Sequence, residues 1–312
     1  MKILITGAGG FIGSHLADFF AGQGADVAGT FRSSTKNIAH LEGKIEMMGC
    51  DIANKSEVLA VVEKTQPDYV FHMAAQSFVI PSLKDPENTY KSNIMGTMYL
   101  LEALKDSDAV VCIASSSAPY GLCYYEEIPI KETKEFRPSS PYAVSKAAAD
   151  MLGYHYWRTY GMKTLRLRFF NTIGPRKTGS AIAEWTKGVA EIEAGLRQQL
   201  GVGNLEPVID ITDVADAVSA VWLLARKGKW GDAYNICTGR GNKMKDVLQK
   251  IISLGRTEIN VVTDPAKLRP SDDPIFIGDN TKLRKLGWNP EMPLEKTLEN
   301  TLDYWRSEVS AK

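Results

Sequence analysis

Short apolar runs recur at a regular beat through the first half of the chain: KILIT, DVAGT, IEMMGCD, YVFHMA, AVVCIAS and KTLRLRFF. Stretches with helical spacing of apolar residues separate them, over 11–22, 56–65, 89–105 and 141–160. A run that is apolar along its whole length must be covered on both faces, and intervening helices provide that cover. The alternation predicts an α/β fold with a doubly wound parallel sheet of the Rossmann type over residues 1–170. Such a sheet binds ligands at the carboxyl ends of its strands, near the switch in strand order. Past Asn171 the beat changes. A helix rich in Ala, Glu and Trp (AIAEWTKGVAEIEAG) leads to LGVGNLEPVIDITDVADAV, a strand AYNICTG and a helix from Met244. This predicts a smaller mixed α/β C-terminal lobe over 171–312, with some segments returning to the first domain and a cleft between the two.

The first apolar run flows into TGAGGFIGSHL, with Gly7, Gly10 and Gly13 spaced by three and Phe11 and Ile12 heading the next helix. Strand, tight turn and helix in that order let backbone approach a pyrophosphate, which the helix N-terminus then holds. An NAD site usually carries an acid about 20 residues further on for the ribose 2′-hydroxyl. Here the residue after Asp26 with a carboxylate is Glu42, and the second strand runs into TFRSS instead. Arg32, with Ser33 or Ser34, suits a 2′-phosphate, so NADP(H) is favoured while NAD(H) stays open. Asp51 and Ile52, in GCDIAN, follow the third strand, where a carboxylate can accept from an adenine amine. Ala74 and Ala75, in HMAAQS, are small enough for a dinucleotide to pass.

Lys and Arg total 37, as do Asp and Glu, so the net charge is zero. That balance points away from bulk nucleic-acid or membrane-surface binding. No apolar run reaches the ~18 residues of a transmembrane helix, and MKILITG reads as a strand and not as a signal peptide. Cys50, Cys112, Cys123 and Cys237 form no CxxC, and no two histidines have ligand spacing. Reduced cysteines in a cytoplasmic protein without a metal site are expected. His72, inside an apolar run, is expected in the core or the loop wall.

Of the 12 tyrosines, Tyr142 alone has a lysine four residues later, Lys146 in SPYAVSK. On a helix the two share a face. They follow IASSSAPYG, which places Ser115, Ser116 and Ser117 at a strand's carboxyl end. A phenol with a reference pKa near 10 is a poor base at neutral pH. A nearby ammonium favours the phenolate, and a serine hydroxyl can bridge to a carbonyl or alcohol. The product is a proton-transfer group beside a hydride carrier.

TGAGGFIG, the serine strand, YAVSK and RFFNTIGPR together resemble the extended short-chain dehydrogenase/reductase superfamily, the NAD-dependent epimerase/dehydratases, over nearly the whole chain. FNTIGP, VGNLEPVIDITDV, LRPSDDPIFIGDNTKLRKLGW and PLEKTLENTLDYWR are most similar to its GDP-mannose branch. The resemblance implies NADPH-dependent reduction of the C4 ketone of a GDP-linked 4-keto-6-deoxyhexose. In it, Ser116 is the hydroxyl partner, Tyr142 the acid/base, Lys146 the ribose and pKa partner, and Asn93, in YKSNIMGT, the asparagine behind the site. It places Asn171 against the sugar or its phosphates, Asn204 and Leu205 in the nucleotide-contacting turn, and Arg269 and Asp272 on the diphosphate and nucleotide ribose. Ser77 and Ser117 join the substrate-binding set.

Two departures stand out. The glutamate that 4,6-dehydratases carry two residues after the hydroxyl partner is Ala118 here, flanked by Ser117 and Pro119. Ile209 stands where the family often has arginine, and Arg176, in GPRKTG, is the expected compensation. A 4-epimerase with retained NAD needs the same three residues and no acid at 118, so it remains an alternative. A silent dinucleotide-binding regulator is disfavoured by the intact trio. Met95, Met98, Leu101, Met151, Leu152 and Trp157 put apolar surface on more than one face of two helices, which in the family form a four-helix homodimer interface.

Overall fold

Strands form where the apolar runs lie, because each is sandwiched between helices contributed by the intervening stretches. The computed structural model describes residues 1–268 and 274–311. Its first half runs β1 (Lys2–Thr6), α1 (Phe11–Gly22), β2 (Asp26–Phe31), β3 (Glu46–Gly49), α2 (Lys55–Thr65), β4 (Tyr69–His72), α3 (Val79–Lys84), α4 (Pro86–Tyr90), α5 (Gly96–Leu104), β5 (Val110–Ser116), α6 (Pro141–Tyr160) and β6 (Lys163–Phe169). The second half runs β7 (Asn171–Ile173), α7 (Ala181–Glu193), β8 (Leu200–Val202), β9 (Val208–Asp213), α8 (Val214–Lys227), β10 (Ala233–Ile236), β11 (Gly241–Lys243), α9 (Met244–Ser253), β12 (Val261–Thr263), β13 (Ile275–Phe276), α10 (Thr281–Arg284) and α11 (Leu294–Ser310). Among the described residues no helix is long and apolar enough to cross a membrane.

Seven strands make one parallel sheet in the order β10-β6-β5-β4-β1-β2-β3. Alternate residues feed opposite faces. Ile3, Ile5 and Phe71 pack with Phe20 and α8, while Leu4 and Val70 pack with Leu100 and Leu104. Strand order reverses between β1 and β4, so a crevice opens there at the carboxyl ends. The sheet is completed from the second half, since β10 adds the outer strand beside β6 and α8 covers the face beside α1. The remaining elements gather around β9, which pairs with β7, β11 and β13, over a core of Trp185, Leu248 and Leu302.

The stretch 89–105 is not one regular helix. Between α4 and α5 it widens into a π turn at Lys91–Met95. Such turns cluster near functional sites, and this one carries Asn93. Gly96 follows because α5 presses on Ile52, whose carbonyl oxygen would lie 2.9 Å from an added Cβ. Of the apolar residues expected on more than one face of α5 and α6, two cover the sheet. Leu101 is fully buried and Leu152 packs against the same core, since both fall on the stripes that cover the sheet.

Helix α6 is built to start and stop cleanly. The Ser140 side chain accepts from Ala143 N, Pro141 sits in the first turn, and Gly161 ends the helix at φ 71°. Its buried stripe carries Asp150, which accepts from Arg166 Nη1 at 2.7 Å and from Arg168 Nε at 2.8 Å. Arg168 also donates to the Tyr120 hydroxyl and the Glu132 carbonyl, and Tyr120 donates to Asn235 on β10. Burial alone would push the Asp150 carboxyl up; the two guanidiniums outweigh it and hold the group below the usual carboxylate range.

Asp150→Asn keeps the volume but leaves the buried Arg168 and the partly buried Arg166 without their counter-charge, so stability should fall by about 3–5 kcal/mol. The denaturant midpoint measures this. The stabilisation is present above the unfolded carboxyl pKa of about 3.9 and is lost as the pH drops through the lower folded value, so the gap between wild type and variant should close in acid.

Candidate active site

The crevice at the carboxyl ends of β1, β4 and β5 is a cleft of about 1600 Å³, walled on its far side by the second lobe. The turn after β1 forms one end. Gly7 has φ +72°, and a Cβ there would lie 2.7 Å from Ala74 Cα. A Cβ on Gly13 would lie 2.2 Å from Gly7 O. Gly10 caps α1, which has no side-chain cap and no acid in its first turn. The first amides of α1 are therefore open to an anion, with Phe11 and Ile12 beside them on the cleft wall. Arg32, Ser33 and Ser34 line the cleft after β2, Asp51 and Ile52 after β3, and Ala74 and Ala75 after β4. The crowded glycine cradle, the open helix end and the small Ala74–Ala75 edge fit a dinucleotide.

Ser116 ends β5. Its Oγ accepts from Ala118 N at 3.1 Å and shares a hydrogen bond with the Tyr142 phenol. Tyr142 N donates to Ser82 Oγ at 3.1 Å, which ties the head of α6 to α3. One turn on, Lys146 Nζ donates to Ala114 O at 2.7 Å. Burial lowers the Lys146 ammonium to about 8. Burial also raises the Tyr142 phenol, opposed by its bond to Ser116. The phenol is thus held protonated beside a lysine that titrates near neutrality.

A directed polar chain stands behind this trio. Thr97 Oγ1 donates to Asn93 O at 2.6 Å, so it accepts from His72 Nε2 at 3.0 Å, and His72 Nδ1 accepts from Thr6 Oγ1 at 2.7 Å. Burial drives the His72 imidazolium down to about 3, with Lys146 adding to it, so the ring is neutral. Asn93 itself does not line the cleft. Its side chain accepts from Gln76 N and donates to Gln76 O and Ser145 Oγ, at 2.8, 2.9 and 2.9 Å, and so pins the loop after β4 to α6.

The remaining expected residues divide. Ser77, Ser117 and Asn171 line the cleft. Arg176 lines it too, but its guanidinium is drawn to Asp18 on α1, Nη2 to Oδ2 2.6 Å, beside the glycine turn. Asn204 and Leu205 stay off the cleft lining. Asn204 accepts from Glu206 N in an exposed turn, and Leu205 packs on the second lobe's core. Arg269 and Asp272 lie outside the described residues. Ala118 and Ile209 do line the cleft, so the missing glutamate and arginine leave apolar wall behind them. Among the described lining residues Asp51 is the one carboxylate, against Arg32, Lys36, Lys146, Arg176 and Lys177. Lys36 and Lys177 join the lining from SSTKN and GPRKTG, the stretches that also carry Ser34 and Arg176. The apolar wall of Phe78, Ile80 and Leu83 had no signal, because it depends on how α3 faces the second lobe.

A family model described as GDP-mannose 4,6 dehydratase matches residues 4–301. The chain belongs to that family. Within and around the GDP-mannose 4,6 dehydratase family, the chain is 31% identical to GDP-6-deoxy-D-mannose reductase of Pseudomonas aeruginosa, over 99% of this chain and 98% of that one. The solved structure of RMD from Pseudomonas aeruginosa complexed with NADPH superposes with a TM-score of 0.85 at 28% identity, covering 99% and 100% of the two chains. A UDP-glucose 4-epimerase from Thermotoga maritima with UDP-glucose superposes with a TM-score of 0.89 at 28% identity and the same coverage.

The burial of Lys146 has a direct readout. Titration of the unliganded protein, followed by NMR of the lysine side-chain amines, should show one lysine changing near pH 8 and absent from Lys146→Met. A Lys146 that titrates at the ordinary 10.5 would mean that burial does not act on it.

Proposed function

We propose that this chain is an NADPH-dependent reductase of the C4 ketone of a GDP-linked 4-keto-6-deoxyhexose. The observation that carries this reading is the Ser116–Tyr142–Lys146 trio in a cleft whose described lining holds no carboxylate except Asp51. A bound NADPH supplies the hydride. The protein's share is then a single proton. Ser116 donates a hydrogen bond to the ketone oxygen and polarises it. Tyr142, kept protonated by burial, passes its proton to the oxygen as the alkoxide forms. Lys146 spends one N–H on Ala114 O and keeps two for the cofactor ribose, while its charge eases the phenol's loss of a proton. Asn93 positions the trio without touching the substrate. Ser77, Ser117 and Asn171 face the sugar and its diphosphate.

The similarity to a reductase over full length and to a structure with NADPH supports this choice. The epimerase fold neighbour keeps a second reading in view, in which the same trio oxidises and re-reduces C4 with retained NAD. The end of β2 favours the first, since Arg32, Ser33 and Ser34 suit a 2′-phosphate and no acid is present there for a 2′-hydroxyl. Cys50, Cys112, Cys123 and Cys237 are buried thiols, in keeping with a cytoplasmic setting.

Incubation with GDP-4-keto-6-deoxy-D-mannose and NADPH should oxidise one NADPH per sugar reduced. GDP-mannose with NADP should give no 4-keto product, because the described lining places no carboxylate beside Ala118 to serve C5 and C6. A 4-keto-6-deoxy product, or turnover with cofactor that never leaves the protein, would overturn the reading. Tyr142→Phe should lower kcat by about 10²–10⁴-fold with the NADPH dissociation constant unchanged.

Arg32→Ala should raise KM for NADPH much more than for NADH. Equal effects would remove Arg32 from the 2′-phosphate.

We also propose a homodimer through the outer faces of α6, α5 and the π turn before α5, where Met95, Met151 and Tyr154 are exposed at 37%, 63% and 46%. Sedimentation at micromolar concentration should give twice the chain mass, and Met151→Lys should shift it toward the monomer.

A further inference from the structure

Three neighbouring strands, β4, β5 and β6, end at the reacting part of the cleft, with Ser116 on the middle one. The two flanks of Ser116 differ in character. On the β4 side, Gln76 and Ser77 line the cleft with polar side chains. On the β6 side the lining is apolar. Phe169 is the register partner of Ser116, and its carbonyl oxygen accepts from Ser117 N at 2.9 Å. Phe170 follows, 3% exposed, with its ring centre 5.4 Å from that of Phe276 on β13. Phe276 is in turn the register partner of Ile209 on β9. Gly278 makes room for this packing, since a Cβ there would lie 2.7 Å from Phe170 Cζ.

Ala118 joins this corner from β5. Its N donates to Ser116 Oγ at 3.1 Å, which ties it to the hydroxyl that meets the ketone oxygen. Tyr120 N donates to Ser117 O at 3.0 Å, and the Tyr120 ring centre lies 6.3 Å from that of Phe170, so the turn over 117–120 packs on the same aromatic cluster. Ala118, Phe170, Ile209 and Phe276 all line the cleft. They make one apolar corner beside Ser116. Apolar ligand surface is favoured there, while a hydroxyl pressed against the corner loses its water partners without replacement.

A hexopyranose has a matching asymmetry. C4 is flanked by C3, which bears a hydroxyl, and by C5, which bears C6. C1, across the ring, carries the diphosphate. With the C4 oxygen on Ser116, one flank faces β4 and the other faces β6. We infer that Ala118, Phe170, Ile209 and Phe276 seat the C6 methyl of a 6-deoxyhexose and select it over the same sugar with a C6 hydroxyl, while C3 and its hydroxyl face Gln76 and Ser77. This rests on the proposed C4 chemistry at Ser116. Ala118 and Ile209 then do more than lack a charge, because they build two sides of the seat.

Calorimetry of the NADPH-loaded protein with GDP-6-deoxy-D-mannose and with GDP-mannose tests this. The two ligands differ by the C6 hydroxyl alone, and both are already alcohols at C4, so neither is reduced. The deoxy sugar should bind about 10–10²-fold tighter, the effect of leaving one hydroxyl against apolar wall. Ala118→Ser and Ile209→Thr each bring a hydroxyl into the corner with a small change of volume. Each should shrink that ratio and leave the affinity for GDP unchanged. Equal affinities for the two sugars in the wild type would overturn the inference, and a bond from Ser117 to the C6 hydroxyl would have that effect. A ratio that both variants leave intact would overturn it too. A protein that prefers the deoxy sugar yet oxidises no NADPH with the 4-keto form would overturn the proposed function and leave this selectivity standing.

Discussion

The carboxylate of Asp150, held between Arg166 and Arg168 at 2.7 and 2.8 Å, fixes the rotation of α6 about its own axis. Tyr142 and Lys146 lie eight and four residues before it on the same stripe. Helical residues turn about 100° each, so a slip of one residue would carry both away from β5. Gly153 closes the stripe, where an added Cβ would sit 2.8 Å from Ile113 Cδ1. The site therefore depends on a buried charge cluster two helical turns from it. Breaking that cluster would disturb Ser116, Tyr142 and Lys146 together.

Electrostatics then divides the molecule. The chain is neutral overall, yet the described cleft lining carries five cations and one carboxylate. The sorting leaves the cleft suited to ligands that bring several phosphates. It also sets proton affinities. Lys146 and Tyr142 occupy one low-dielectric pocket, where burial lowers the ammonium and raises the phenol. Nearly matched in water, at 10.5 and 10.0, the two groups are pushed apart, so the phenol keeps its proton at neutral pH while the lysine comes closer to losing its own. The neutral His72 behind them adds no charge, and its hydrogen bonds to Thr6 and Thr97 give the site a rigid back wall.

Much of this was legible in the sequence, for physical reasons that can be named. Fully apolar strands between amphipathic helices leave few folds open, and the bounds read for 11–22 and 141–160 coincide with α1 and α6. The glycine turn and the Tyr142–Lys146 spacing rest on local geometry, so they survive without knowledge of the rest. The π turn at Lys91–Met95 was not legible, because it depends on α5 meeting Ile52. The direction of Arg176 was not legible either. Its side chain is set by Asp18, 158 residues away in the chain. Asn204 and Leu205 were placed by likeness to a motif, and the fold sends one to an exposed turn and the other to a core.

The two departures from the family pattern gain meaning once they are seen on the cleft wall. Ala118 follows Ser116 by two residues, in the short helical turn that leaves β5, and Ile209 joins the lining from β9. Removing water across C5 and C6 would need one group to take a proton and another to give one. Carboxylates serve because burial and neighbours tune them to either task. In this cleft Asp51 is far from that end, at the carboxyl edge of β3, and its Oδ1 accepts from Ala53 N. Ser116 is too weak an acid, and Lys146 is turned to Ala114. Among the described lining residues, what is left is one phenol with one proton. With the hydride brought by a nicotinamide cofactor, reduction of a ketone asks the side chains for that proton and nothing more, so with Ala118 in place of the glutamate the cleft wall is matched to reduction and not to dehydration.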